Sequence, residues 1–392
     1  MSTIPTILIV VSGLVALVWT VRHVALSMNA GVPAGLGHDS PGPPEHTPRV
    51  SVLLAAKDER ENIGPCLQSL LGQDYPDFEV IVADDRSTDG TAAVVAEIAA
   101  SDPRVKLISI DALPDGWCGK NHAVWVASRA ASGSWLCTVD ADCRQTSTRS
   151  LSVALDYALT HEVDLLSILP VLKMEGFWEN VVQPVCGAVL VYWYRPDEVN
   201  DPARPVAYAN GAFMLIRRGA YDAVGGHEAI RGEMMEDLRL ARRIKDAGLR
   251  LRVTRNEGLY EARMYPSLAD TIAGWSRIFW GAFPTRRRLR LTIIVLALIS
   301  LSPYVLGPWS WLAWLAGGST GWLAAAVVAT AAAVIQIAFM ARLYPLLNAR
   351  RGLCWTWPLG CGLALAALAR AYRFHGAGGS IVWRDTAYKT GA

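Results

Sequence analysis

The feature that most restricts this chain is the stretch from Leu291 to Ala341, which contains no Asp, Glu, Lys or Arg. A run of that length cannot coat a water-soluble domain. It belongs in hydrocarbon, where backbone satisfies its own hydrogen bonds as helix. Gly317-Gly318-Ser319-Thr320-Gly321 interrupts the run and reads as the turn between two spanning helices. Ile4 to Val21 is a second uncharged run and makes an N-terminal span. Leu353 to Ala369 is shorter and contains Pro358, so it fits a third late span, a re-entrant piece or an interfacial helix. Trp309, Trp311, Trp314, Trp322, Trp355 and Trp357 flank these segments, as interfacial anchors would.

The spans do not account for the whole chain. Its 392 residues are 52% hydrophobic and 18% charged, too apolar for an ordinary soluble enzyme and too charged for a wholly embedded protein. Between Pro48 and Pro266 the composition is that of a globular domain long enough to bury its own core. Arg22 and His23 follow the first apolar run instead of preceding it, which favours an anchor over a cleaved signal. With Arg286, Arg287, Arg288, Arg290, Arg342, Arg350 and Arg351, the positive-inside rule puts the central domain in the cytoplasm of an integral membrane protein, as in a bacterial inner membrane. The expected division is an anchor over 1–24, a linker over 25–48 and a catalytic domain over 49–266. An amphipathic segment over 267–290, membrane helices over 291–376 and a tail over 377–392 follow. A net charge of +2 offers no footprint for nucleic acid, and no obligatory protein partner is evident. Seven cysteines without C-x-x-C spacing read as reduced thiols.

Inside the central domain, strands and helices alternate. Arg49–Ala56, Phe78–Ala83, Val105–Ile110 and Trp135–Val139 read as strands. The stretches from about Glu59 to Gly72, Thr91 to Ala100 and Lys120 to Ala131 read as helices. This is an α/β pattern of βαβ units around a mostly parallel sheet. In such sheets ligands bind beyond the carboxyl ends of the strands. Asp58, Asp84, Asp85, Asp140 and Asp142 all fall there.

Four short stretches carry candidate chemistry. Asp140-Ala141-Asp142 ends an apolar strand. Carboxylates there serve as turn formers, or they hold Mg2+ or Mn2+ against a diphosphate, since such ions take one or two carboxylates plus phosphate oxygens and water. In Val82–Thr91, Asp85 is placed to accept a hydrogen bond from a base N–H, while Ser87, Asp89 and Thr91 read as a helix cap. In Gly116–Ala123 a glycine-bounded loop puts Lys120 at a helix start, where phosphate binds or where a lysine is merely solvated; His122 reads as structural. Gly232–Val253 contains a helix that closes at Gly248, with Glu236 and Asp237 in its first turn. The helix dipole alone explains an acid there, and so does a general base.

Taken together, Asp84-Asp85-Arg86-Ser87-Thr88-Asp89-Gly90-Thr91, Asp140-Ala141-Asp142 and Glu236-Asp237, in that order, resemble glycosyltransferase family 2 on a GT-A fold, over about Val50 to Val253. The opening "LLAAKDERENI" and Asn210–Ile230 also look like family segments, although Asp58 stands where asparagine is more usual. The N-terminal span, the Gly-Lys loop and "IVWRDTAYK" resemble membrane enzymes that glycosylate lipids, such as ceramide glucosyltransferases and hopanoid- or carotenoid-associated transferases. The resemblance implies a Rossmann-like domain with membrane helices, in which Asp58, Asp85, Lys120, Asp140 and Glu236 bind a UDP-sugar, UDP-glucose foremost. It implies Asp140 and Asp142 at the Mn2+ or Mg2+, Asp237 as the base, and single-sugar transfer with inversion to a lipid hydroxyl. Ala273–Phe283 lacks the Q-x-x-R-W of processive synthases, which argues against polymer extrusion. Arg277 and Trp280 there, with Trp383 and Arg384 in the tail, are candidate acceptor contacts. Transfer to a polyprenyl phosphate and a non-catalytic sugar-nucleotide-binding membrane protein are the competing readings.

Overall fold

The computed structural model describes residues 3–28, 35–376, 379–383 and 386–390. We number the helices α1 Thr3–Ser27, α2 Arg60–Leu71, α3 Thr91–Ser101, α4 Gly119–Ala130, α5 Ser150–Thr160, α6 Phe177–Trp193, α7 Glu236–Asp246 and α8 Leu268–Ala282. After these come α9 Arg286–Leu315, α10 Thr320–Leu346 and α11 Trp357–Phe374. The central strands are β1 Val50–Ala56, β2 Phe78–Asp85, β3 Val105–Ile110, β4 Trp135–Val139, β5 Leu165–Ile168, β6 Phe213–Arg217 and β7 Leu251–Thr254.

These seven strands form one sheet in the order β7-β5-β6-β4-β1-β2-β3, with only β6 antiparallel to its neighbours. A strand buried on both faces must be apolar at successive positions. In β1, Val52 and Leu54 join the core with Ile63, Leu67 and Leu70 of α2, while Leu53 joins a second core with Ala123, Val124 and Ala127 of α4. The sheet is therefore covered on both sides. Burial of each such aliphatic side chain contributes roughly 1.5–3 kcal/mol. Pairing of Ala56 with Asp84 and of Asp85 with Ile110 brings the carboxyl ends of β1 and β2 to one edge.

A third core joins the α/β part to the apolar helices. Val181, Val185 and Val189 of α6 and Trp275 and Phe279 of α8 pack with Val15 and Trp19 of α1, Phe339 of α10 and Cys361 of α11. Four helices are long and apolar enough to cross a membrane: Thr3–Ser27, Arg286–Leu315, Thr320–Leu346 and Arg351–Phe374. Their outward faces are apolar, with Ile4, Ile7, Leu14, Leu17 and Val21 each more than half exposed on α1. Such a stripe suits lipid and would be costly in water.

The uncharged run from Leu291 to Ala341 does divide at a turn, with Gly317 at φ 93° between α9 and α10. Within α9, residues Ala297–Leu301 open into a π turn just before Pro303. Proline has no N–H to give the carbonyl four residues back. That carbonyl, Ile299 O, accepts the Trp19 indole N–H at 2.9 Å instead. Trp309 and Trp322 meet near the turn, at 5.8 Å between ring centroids. Trp357, expected at an interface, is buried beside Trp19 at 6.2 Å; the chain folds back after α10 and carries it into the core.

The segment Arg351–Phe374 starts beside the α/β part and ends beside α8 and the basic head of α9. Ahead of it, Asn348 donates to Leu172 O (3.1 Å) and Arg350 to Glu175 O (2.7 Å). Trp357 lies at the depth of Trp19 and Ile299, about 20 Å along α9 from Arg286 at 1.5 Å per residue. Tyr372 then lies under the Arg286 guanidinium at 5.0 Å, and His375 beside Trp280 at 6.0 Å. All seven cysteines are free thiols.

Candidate active site

Each acidic side chain at the sheet edge is set by a local turn. After β1 the chain passes through Lys57, Asp58 and Glu59, with Asp58 in the left-handed region at φ 52°. The turn after β2 is bolted to it. Asp58 N–H donates to Ser87 Oγ (2.9 Å), Glu59 N–H to Thr91 Oγ1 (2.8 Å), and Asp58 Oδ1 accepts from Thr88 N–H (2.8 Å). Ser87 and Thr91, expected to cap α3, are therefore spent on the neighbouring turn. Capping falls to Asp89, whose Oδ1 accepts from Thr91 N–H at 2.9 Å, while Gly90 at φ 97° turns the chain into the helix. Asp58 holds the two turns together; its neighbours Lys57 and Glu59 line the cavity described below.

Asp85 is buried and forked to Arg86 by two hydrogen bonds of 2.8 and 2.9 Å, a pairing that fixes the orientation of its carboxyl group at the cavity wall. Asp140 and Asp142 follow β4, where a Cys143 N–H to Asp140 O turn (3.1 Å) aims them off the strand. Lys120, in the first turn of α4, reaches across with Nζ 2.8 Å from Asp140 Oδ1 and 2.7 Å from Glu236 Oε1. Burial works against its charge, but Asp140, Glu236 and Asp237 outweigh burial and hold the ammonium well above the usual lysine range. His122 is buried against Trp117 and Trp125, as a structural residue should be.

Asp237 opens α7. Its Oδ2 accepts from Gly211 N–H (3.0 Å) and its Oδ1 from Leu238 N–H (2.7 Å). Burial and then Glu236 push its carboxyl up to about 7, against the opposing pull of Lys120 and the two N–H groups. Asp142 is likewise pushed up to about 7, by burial and then by Asp140. Two carboxylates that resist ionising together at the mouth of a sheet are chemically ready for a cation. The pair fits Mg2+ or Mn2+, which takes its remaining oxygens from phosphate and water. Among the described residues no group of three or more His, Cys, Asp or Glu side chains is arranged to hold a metal without such help.

These residues share one cavity of about 380 Å³, which Asp85, Lys120, Asp140, Asp142, Glu236 and Asp237 line together. Arg277 lines it too, donating to Tyr265 OH at 3.2 Å. Helix α8 can seat that closely because Gly281 faces the Met235 side chain, where a Cβ would come within 2.0 Å of its Cγ. Trp280 packs in the third core away from the cavity. Trp383 ends the strand Gly379–Trp383, and Arg384 lies outside the described residues. The sequence reading missed Tyr208 and Tyr265, half-buried phenols on the cavity wall, together with the whole contribution of α6. The one signal for α6 was an apolar stripe at helical spacing, which ordinary core packing explains equally well.

Residues 51–225 match the family model described as Glycosyl transferase family 2. Those residues form a glycosyltransferase family 2 domain. The chain is 27% identical over 261 residues to the 4,4'-diaponeurosporenoate glycosyltransferase of Staphylococcus aureus (strain USA300), covering 66% of this chain and 68% of that protein. A mannosyltransferase from Pyrobaculum calidifontis, solved in complex with GDP-Man and Mn2+, superposes with a TM-score of 0.55 at 21% identity over 92% of this chain and 98% of that one. The enzyme accordingly has the GT-A fold that its Asp84–Thr91, Asp140–Asp142 and Glu236-Asp237 segments led us to expect.

Proposed function

We propose that the enzyme transfers one sugar from a UDP-sugar, UDP-glucose foremost, to the hydroxyl of a membrane lipid, with inversion at the anomeric carbon. The observation that carries this reading is the single cavity joining strand-end carboxylates and Lys120 to apolar walls on α6 and α8. The 4,4'-diaponeurosporenoate glycosyltransferase of Staphylococcus aureus and the Pyrobaculum mannosyltransferase in complex with GDP-Man and Mn2+ support the same class of reaction.

Asp85 accepts the base N–H, and Asp140 and Glu236 bind around the ribose and sugar. Lys120 gives up one carboxylate partner to meet the diphosphate. Asp142 and Asp140 hold the Mg2+ or Mn2+, which when bound neutralises charge on the leaving diphosphate. Asp237 accepts the acceptor's hydroxyl proton as the oxygen–C1 bond forms and the C1–O bond to UDP breaks. One base and one displacement give inversion.

We further infer that the segment 351–374 re-enters the membrane, returning the tail to the side of the α/β part. The bonds of Asn348 and Arg350 at one end and the contacts of Tyr372 and His375 at the other support this. The cytoplasmic placement rests on the basic residues at the same level.

Arg277 favours a second reading, transfer to an acceptor that is already anionic, such as a polyprenyl phosphate. Purified enzyme should release UDP only with a divalent ion and a lipid extract, and EDTA should abolish release. A donor panel including GDP-mannose identifies the sugar. Asp237→Asn should lose transfer to hydroxyl acceptors; retention of full activity would favour the anionic acceptor instead.

A further inference from the structure

Beyond the carboxylates the cavity has an apolar arm. Gly187, Leu190 and Val191 lie three and four residues apart on α6, and Trp275, Ile278 and Ala282 three and four apart on α8, so one face of each helix lines the same space. Three features define the arm. At Gly187 an added Cβ would meet no atom within 4 Å, so the absent side chain leaves a slot. Val191 lines the cavity and is 50% exposed, so the space beside it is open. At the far end Tyr194 OH donates to Ala282 O, tying the two helices together.

The position of the opening can be read from Arg288. Its guanidinium lies over the rings of Trp193, Tyr194 and Phe283 at 4.3, 5.1 and 5.7 Å. Arg288 belongs to the basic run at the head of α9, the level at which such a helix meets lipid headgroups. Helix α6 packs in the same core as α1, α9 and α10 through Val181, Val182, Val185, Cys186 and Val189, while Phe177, Val191 and Tyr192 form an exposed apolar side of the same helix.

From these observations we propose that the arm takes the single long apolar chain of the acceptor, which enters sideways from the bilayer past Val191. Gly187 is the residue that sets its bore. The inference rests on the lipid-acceptor reading and narrows it to amphiphiles with one extended chain. A headgroup at Asp237 and a chain between α6 and α8 would place the reactive oxygen at the donor without lifting the lipid out of the membrane.

The test uses full-length protein in phospholipid nanodiscs with a hexadecanol bearing a mid-chain diazirine, with no nucleotide present. Ultraviolet labelling mapped by mass spectrometry should fall in 187–194 and 275–282. Gly187→Trp should reduce that labelling at least tenfold and leave labelling at the lipid-facing Leu312 and Val334 unchanged. Gly187→Ala, with unchanged thermal midpoint, should keep it. Labelling confined to the outer faces of α9 and α10, or undiminished in folded Gly187→Trp, would overturn the proposal. Because binding is read without turnover, the two ideas can fail separately. A chain that labels in the arm but never transfers sugar sinks the transferase reading and keeps the arm, whereas transfer without labelling there sinks the arm.

Discussion

The cavity has two ends built by different means. Its polar end is made of strand tips: Asp85 leaves β2 and Asp140 and Asp142 leave β4, the parallel strands on either side of β1, and each side chain is fixed by a turn within a few residues of its own strand. Its apolar end is made by two helices almost a hundred positions apart in sequence, joined by the Tyr194–Ala282 bond and by Arg288. Rigid strand ends suit groups that must sit within a fraction of an ångström of reacting atoms. Facing helices suit a chain that has to be held but need not be aligned. The contrast predicts that substitutions at the polar end act on turnover, and those at the apolar end on acceptor affinity.

The largest expected effect is at the polar end. Asp237→Asn and Asp142→Ala should each lower transfer by about 10²–10⁴-fold, the usual contribution of an acid–base group. Thermal midpoints should move little, because both carboxyls are pushed up towards neutrality by burial. An Asp237→Asn enzyme with near-normal kcat would break the assignment of base.

Next is pH. As the proposed base Asp237 would work only when ionised, and burial with Glu236 raises its carboxyl to about 7. The rate should therefore rise about tenfold per pH unit below ~7 and level off above it. A profile measured on Asp237→Asn should lose the inflection that belongs to Asp237, leaving any contribution from Asp142. An unchanged inflection would assign the titration to another group.

A smaller effect belongs to the apolar end. Arg277→Ala should raise the acceptor KM about tenfold with the donor KM unchanged, the loss of one charge-assisted contact. A matching rise in donor KM would move Arg277 to the polar end of the cavity and blur the division.

The smallest concerns stability alone. His227 is fully buried, its ring bonded to Tyr221 OH at 2.9 Å, and burial followed by Lys120 lowers its pKa to about 3. The unfolded chain takes up a proton from about pH 6.5 downward that the folded one refuses. Stability from this site is thus full above pH 6.5 and falls by about 1.4 kcal/mol per pH unit below it. His227→Gln should narrow the gap between unfolding midpoints at pH 7 and pH 5; an equal gap in both proteins would assign the acid loss elsewhere.

Much of the polar end was legible beforehand because strand tips are local. An apolar run followed by acids names its own position, and Asp140-Ala141-Asp142 and Glu236-Asp237 came together without knowledge of the sheet order. What escaped was whatever depended on a partner far away in sequence. Ser87 and Thr91 looked like caps because capping is the nearest use for a hydroxyl before a helix, yet Asp58 and Glu59, about thirty residues earlier, take them. Trp357 looked like an interfacial anchor from its neighbours, and only the fold-back after α10 buries it beside Trp19.

By itself the sequence determined the alternation that makes a doubly covered parallel sheet, the placement of carboxylates at its edge and the apolar helices on either side of it. These follow from periodicity, burial and charge within short windows. Tertiary structure alone decided that Lys120 bridges Asp140 and Glu236, that Gly211 N–H holds Asp237, and that α6 and α8 enclose an arm with a slot at Gly187. Each of these joins groups whose meeting depends on how the elements pack, and no local propensity records that.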